Sequence, residues 1–259
     1  MPPHPSEKPQ GERIAKLLAR AGVASRREVE RMIADGRVAI QGKVLDTAAT
    51  IIPDLKGVTV DGNPVARAEV ARVFAFHKPS GLITAERDPK GRPTIYTALR
   101  NAMPKGAPRV MPVGRLDMTT EGLLLLTNDG ALKRSLELPS SDIPRTYRVR
   151  AFGEVTQAQL DTLIEGIEIE GVRYGKIEAD LERGSKAGSG ARSRNHWITM
   201  TLTEGKNREV RRVLEHLGLQ VSRLLRVGYG PFNLGDLPRG AVAEIPQVQV
   251  ERLRRTLKA

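Results

Sequence analysis

Four consecutive leucines, Leu123–Leu126, are the densest apolar run in the chain. A short continuous run of that kind reads as a fully buried strand. It is far below the roughly 18 apolar residues that a membrane-spanning helix needs. The segment before it is a polar turn carrying Arg115, Asp117, Thr119, Thr120 and Glu121. An acid held in a turn against a buried strand is well placed at the mouth of a cleft. An ionised aspartate can act as nucleophile or base without prior activation. Taken alone, an aspartate in such a turn is more often a turn former.

The 259 residues suggest one or two domains at about 100–200 residues each. Short strands with interspersed helices predict an α+β fold. Lys and Arg number 42 against 30 Asp and Glu, giving a net charge of +12. That balance favours a polyanionic partner, nucleic acid before a membrane surface. The chain has no cysteine, which excludes thiolate nucleophiles, disulfides and Cys-ligated zinc. His4, His77, His196 and His216 do not pair at metal-ligand spacing, so neither a metal nor another cofactor is expected. Nothing demands an oligomer, and a monomer is expected. Residues 1–10 are polar and proline-rich, without the apolar stretch of a secretion signal. They read as a disordered tail on a cytoplasmic protein.

Residues 11–60 read as helix–turn–helix–hairpin. Ile14, Leu17, Leu18 and Ala21 recur at helical spacing before Gly22. Ser25 and Glu28 open a second helix striped by Val29, Met32 and Ile33. Val38 and Ile40 precede a Gln41-Gly42 turn. The other face carries Arg13, Lys16, Arg20, Arg26, Arg27, Arg31, Arg37 and Lys43. Few acids are expected to pair with these cations at i+4, so the face reads as an uncompensated phosphate-binding surface. The stretch KLLARAGVASRREVERMIADGRVAIQGKVL resembles the S-four-type RNA-binding domain.

Residues 61–71 read as a linker, residues 72–250 as a second domain, and 251–259 as the end of a terminal helix. A strand is expected at Val73–Phe76, followed by a Lys78-Pro79-Ser80-Gly81 turn. A short helix is expected near Thr94–Asn101. Residues 183–195 form a basic Gly/Ser-rich loop. Near the end of the chain, Val210, Val213, Leu214 and Leu217 form one helical stripe, with Asn207 as the expected N-cap.

The segment GRLDMTTEGLLLLTNDG resembles the catalytic motif of the pseudouridine synthases that act on ribosomal RNA. HKPSGLIT (77–84), RTYRV (145–149), LTEGKNREVRRVLEHLG (202–218) and VSRLLRVGYG (221–230) resemble the family's other landmarks, in the same order. The resemblance implies a mixed, largely antiparallel sheet with flanking helices and a central cleft. It implies that Asp117 is the catalytic carboxylate and that Arg115 fills the gap left by a flipped base. Tyr147 would stack on the uracil. Arg211 would pair with Asp117, while Lys206, Asn207 and Arg208 would contact RNA. Leu225 would wall the base, and Arg145 and Arg148 would line a phosphate groove. Lys78 and Pro79 are expected to shape their turn rather than perform chemistry. Glu121 is not expected to form a helical two-carboxylate pair with Asp117. NHWITMTL, the 183–195 loop and LPRG (237–240) favour large-subunit (23S) rRNA as substrate over small-subunit (16S) rRNA. A non-catalytic rRNA-binding assembly factor and a nucleoside hydrolase are the readings from other classes.

Overall fold

The computed structural model describes residues 11–66, 69–182 and 195–257. The expected tail at 1–10 and all of the basic loop except Asn195 lie outside the described residues. Two compact units emerge. One runs to Ala71 and takes in Asn128–Gly130; the other comprises Arg72–Thr127 and the chain from Ala131 onward.

In the first unit, helix α1 (Ile14–Arg20) buries Ile14, Ala15, Leu17 and Leu18. Gly22, at φ +82°, follows its end, where a left-handed residue costs glycine least. Ser25 Oγ accepts the Glu28 N–H at 3.2 Å and starts α2 (Arg26–Ala34). Strands β1 (Val38–Ile40) and β2 (Lys43–Val44) meet through Gln41 and Gly42, both at positive φ, as the tightest hairpin turns require. Strand β3 (Val58–Val60) pairs with the other side of β1 and with β4 (Asn63–Pro64). Val38 and Val58 close a core against Ile14, Leu18, Val29 and Ile33.

The expected scarcity of acidic partners on this unit is corrected. Lys16 pairs with Glu12 and Arg26 with Glu30, both at i,i+4. Arg20 also reaches Glu12, Arg31 reaches Glu28, and Arg37 grips Asp61 through two bonds of 2.8 and 2.6 Å. Among the described residues, Arg13, Arg27 and Lys43 have no acid within 4.0 Å. Exposed pairs of this kind contribute about 0–1 kcal/mol, so a phosphate can displace the acid at small cost.

The second unit is built on one mixed sheet. Its labelled strands are β5 (Val73–Lys78), β6 (Glu121–Thr127), β7 (Arg145–Phe152), β8 (Ile177–Leu181), β9 (Asn195–Leu202), β10 (Gln220–Tyr229) and β11 (Val242–Glu244). Their order across the sheet is β8-β9-β7-β10-β6-β5-β11. The β10–β6 pairing is parallel and the other pairings on this path are antiparallel. Every residue of β6 is buried, as the leucine run predicts. Phe74, Phe76, Leu124 and Leu126 pack with helix α3 (Ile95–Ala102), while Val73, Leu123 and Leu125 face α4 (Gly130–Glu137) and α7 (Gln247–Thr256). The β7–β10 half packs Val149, Ala151, Ile198 and Leu224 against α5 (Gln157–Asp161) and α6 (Glu209–His216). None of the described helices is long and apolar enough to cross a membrane.

Candidate active site

A cleft of about 700 Å³ opens in the second unit, lined by Arg115, Asp117, Tyr147, Lys206, Arg208 and Leu224 among others. Sheet register brings its parts together. Tyr147 on β7 lies opposite Arg226 on β10, and Arg226 lies opposite Gly122 at the start of β6. Gly122 follows Asp117 by five residues, so two ladders place a tyrosine beside an aspartate distant in sequence. The parallel step requires glycine. Gly122 sits at φ +103°, and a Cβ there would lie 2.2 Å from the Arg226 carbonyl oxygen.

The turn holding Asp117 is pinned from β5 and the loop after it. The Lys78 side chain is wholly buried, and its ammonium donates to the carbonyls of Pro79 (3.2 Å), Asp117 (3.0 Å) and Thr120 (2.8 Å). Burial pushes its pKa down to about 8, against the pull of Asp117 and Glu121, so it stays an ammonium at neutral pH. The Gly81 N–H reaches the Met118 carbonyl at 2.7 Å. Thr84 Oγ1 donates to the Leu116 carbonyl (2.8 Å) and accepts the Leu116 N–H (3.2 Å). The HKPSGLIT segment therefore does more than shape its own turn: it positions the Asp117 loop. A lysine beside a proline carries no sequence signal for such a role, because burial decides it.

Glu121 is not among the residues lining the cleft. It is buried and grips Arg223 (3.0 and 3.2 Å) and Arg239. Burial acts to raise its pKa, but those guanidinium bonds outweigh it and hold the carboxyl below its usual range.

The expected site residues divide by where the fold places them. Asp117 is part-exposed, and Arg208 approaches its carboxylate at 4.0 Å. Arg211 was expected there; instead it is buried and donates to Thr119 Oγ1 at 3.3 Å and, at longer range, to the Thr119 and Val221 carbonyls. The Asp117 partner within 4.0 Å is thus Arg208, because Arg211 lies on the core side of α6. Burial and the nearby Arg208 lower the Arg211 pKa, whereas Asp117 favours its charge. Asn207 does not cap α6. The cap position is Arg208, at φ +52°, while the Glu209 carboxylate accepts the Lys206 N–H at 2.8 Å. Arg115, Lys206 and Asn207 are exposed at the cleft, with the Lys206 ammonium paired to Glu204.

Three expectations are corrected by strand alternation and burial. Leu224, not Leu225, lines the cleft; Leu225 packs toward the α4 side. Arg145 lines the cleft but is buried, and its two terminal nitrogens donate to the carbonyls of Thr203, Ile143 and Glu204 and to the Tyr229 hydroxyl, so it braces the cleft wall rather than an open phosphate groove. Arg148 is not part of the cleft lining; it stacks over Trp197 at 4.4 Å and pairs with Glu182.

A carboxyl group, an aromatic ring and a cationic rim sharing one cleft suit an enzyme that acts on a planar base in a polyanionic chain. A family model described as RNA pseudouridylate synthase matches residues 72–216, and the S4 domain matches residues 12–53. An uncharacterized RNA pseudouridine synthase of Rickettsia felis is 38% identical over 241 residues, covering 93% of this chain and all of the relative. The ribosomal large subunit pseudouridine synthase B of Escherichia coli K12 is 42% identical over 250 residues, covering 94% and 82% of the two chains. A crystal structure of a pseudouridylate synthase superposes with a TM-score of 0.61 at 25% identity, covering 93% of this chain and 99% of that one. The chain belongs to the RNA pseudouridylate synthase family.

Proposed function

We propose that this protein converts a uridine of 23S ribosomal RNA to pseudouridine, with residues 11–60 docking on the RNA and residues 72–250 performing the reaction. The carrying observation is the Asp117 carboxylate, part-exposed in the cleft, with Arg208 at 4.0 Å and its loop held by Lys78. The large-subunit substrate is supported by the 42% identity to the Escherichia coli synthase B. The same reading puts the work in the cytoplasm, on a single copy of the chain.

The reaction breaks the bond between ribose C1′ and uracil N1 and forms one between C1′ and C5. The C5 proton leaves and N1 gains one, so mass is unchanged. Asp117 is the carboxylate that assists detachment and reattachment. Tyr147 stacks on the base, an interaction of about 1–3 kcal/mol. Its ring is packed from both halves of the sheet, which fixes its orientation. Leu224, which lines the same cleft, walls the base. Arg115 fills the space from which the uridine is flipped, offsetting unstacking of a few kcal/mol. Arg208 orients the Asp117 carboxylate, and Arg211 holds the Thr119 end of the loop.

Tritium release from 23S rRNA labelled at uridine C5 tests the reading, with wild type and Asp117→Asn compared. Release by wild type alone, without free uracil, supports it. Release from 16S rRNA alone moves the substrate to the small subunit. Tight binding with no release from either leaves an RNA-binding factor.

A further inference from the structure

Two of the carboxyl groups lining the cleft that the proposed reaction does not use lie at and just before the start of α6. Glu209, the first residue of α6, is 3% exposed. Its Oε2 accepts the Lys206 N–H at 2.8 Å, while its Oε1 is buried and receives no hydrogen bond from any described residue. Lys206 gathers the second acid beside it: its backbone N–H reaches Glu209 while its ammonium reaches Glu204. Glu204 itself accepts the Gly175 N–H and the Lys206 ammonium.

The other groups facing this pair are accounted for. From β7, Arg145 spends its guanidinium on the Thr203 and Glu204 carbonyls. From the strand Val172–Tyr174, the Tyr174 ring lies 5.7 Å from the Lys206 ammonium. Arg208 turns to Asp117 and Glu215, both at 4.0 Å. One ammonium, already spent on Glu204, therefore faces two acids. Two carboxyls gathered on one lysine, one of them sealed from water with an oxygen that receives no hydrogen bond from a described residue, favour holding a proton between them.

We propose that Glu209 and Glu204 share one proton, and that this carboxyl–carboxylate hydrogen bond fixes the 203–208 loop so that Arg208 reaches Asp117. Glu209 is then a positioning residue: it acts on the reaction through Arg208. Burial, and then Glu204, push the Glu209 pKa up to about 8. Burial also acts to raise Glu204, yet its bonds from Gly175, Lys206 and Glu209 hold it below its ordinary value. One acid of the pair thus keeps the proton at neutral pH and the other stays ionised.

The proposal rests on the synthase reading, and its test separates the two. Glutamine at position 209 reproduces the protonated form, with an N–H₂ in place of the O–H. In tritium release, the wild-type rate falls as pH rises through about 8. Glu209→Gln, the conservative rescue, keeps the neutral-pH rate and loses the part of that alkaline limb that does not come from Lys78, which also titrates near about 8. Glu209→Ala lowers kcat by about 10- to 100-fold through a displaced loop. An unchanged alkaline limb in Glu209→Gln overturns the proposal. Infrared difference spectra of the full chain give a readout without turnover: a protonated-carboxyl band in wild type at neutral pH, absent from Glu209→Gln. Lack of that band in wild type also overturns it. A band that behaves as expected, with no release from any rRNA, supports the shared proton and sinks the synthase reading instead.

Discussion

The Lys78 ammonium donates to the main-chain carbonyl of Asp117 at 3.0 Å across 39 residues of sequence. Its other two bonds go to Pro79 and Thr120, so two N–H groups of one buried cation hold the loop on which the carboxylate stands and the third ties it to its own turn. Lys78→Met leaves those carbonyls short of a donor, each at about 1–3 kcal/mol. The expected loss is about 3 kcal/mol or more in urea unfolding, with tritium release falling further than stability alone explains. Lys78→Arg keeps the charge but cannot place three donors on one atom, and is expected to fold with reduced kcat. Wild-type activity in Lys78→Met would show that the loop holds itself.

Gly122 gives a sharper packing test. A methyl group there meets the Arg226 carbonyl oxygen at 2.2 Å and its nitrogen at 2.8 Å, both backbone atoms that cannot swing away. Gly122→Ala must therefore open the parallel β6–β10 step that aligns Tyr147 with the Asp117 loop. It is expected to cost more than about 3 kcal/mol in chemical denaturation, the range reserved for strained backbone and core overpacking. Gly62→Ala is the control, since its added Cβ meets nothing within 4 Å. Both glycines have positive φ, so a larger loss at Gly122 measures the close approach alone.

The RNA-docking reading of the first unit is tested by salt. Each phosphate neutralised contributes about 0.7–0.9 to the slope of log affinity against log salt. Arg27→Ala and Lys43→Ala, which remove cations without an acidic partner among the described residues, are expected to reduce that slope by close to one contact each. Arg37→Ala should change it less, because Arg37 is already held by Asp61 in two bonds. Equal effects from all three, in filter binding to 23S rRNA at several salt concentrations, would mean that the internal pairs do not govern contact.

Local patterns carried much of this fold. The leucine run is a buried strand, and the stripe Val210, Val213, Leu214 is the core side of α6. The Gln41-Gly42 turn and the Ser25 cap also follow from residue type. The site was legible as a set of motifs but not as a geometry. Whether Leu224 or Leu225 faces the cleft depends on strand phase, which two adjacent leucines do not reveal. Arg145 and Arg148 look alike in RTYRV, yet one is buried among carbonyls and the other stacks on Trp197. Lys78 and Glu209 owe their roles to burial and to partners brought by the fold, and no spacing announces either.

Glu209 also predicts how stability depends on pH. Its folded pKa is raised from an ordinary 4.5 to about 8, so over that window the folded chain holds a proton that the unfolded chain releases. Stability then falls as pH rises: the contribution is complete below 4.5 and is lost on passing through about 8. Glu204 is held below its ordinary value, so it acts with the opposite sign, losing its contribution only in acid. The alkaline window therefore belongs to Glu209 within this pair. Glu209→Gln removes the titration while keeping shape. In thermal unfolding its Tm should match wild type near about pH 5 and exceed it near about pH 9, with the gap opening between. Parallel Tm curves for the two proteins would mean that Glu209 is ionised throughout this range in the folded state.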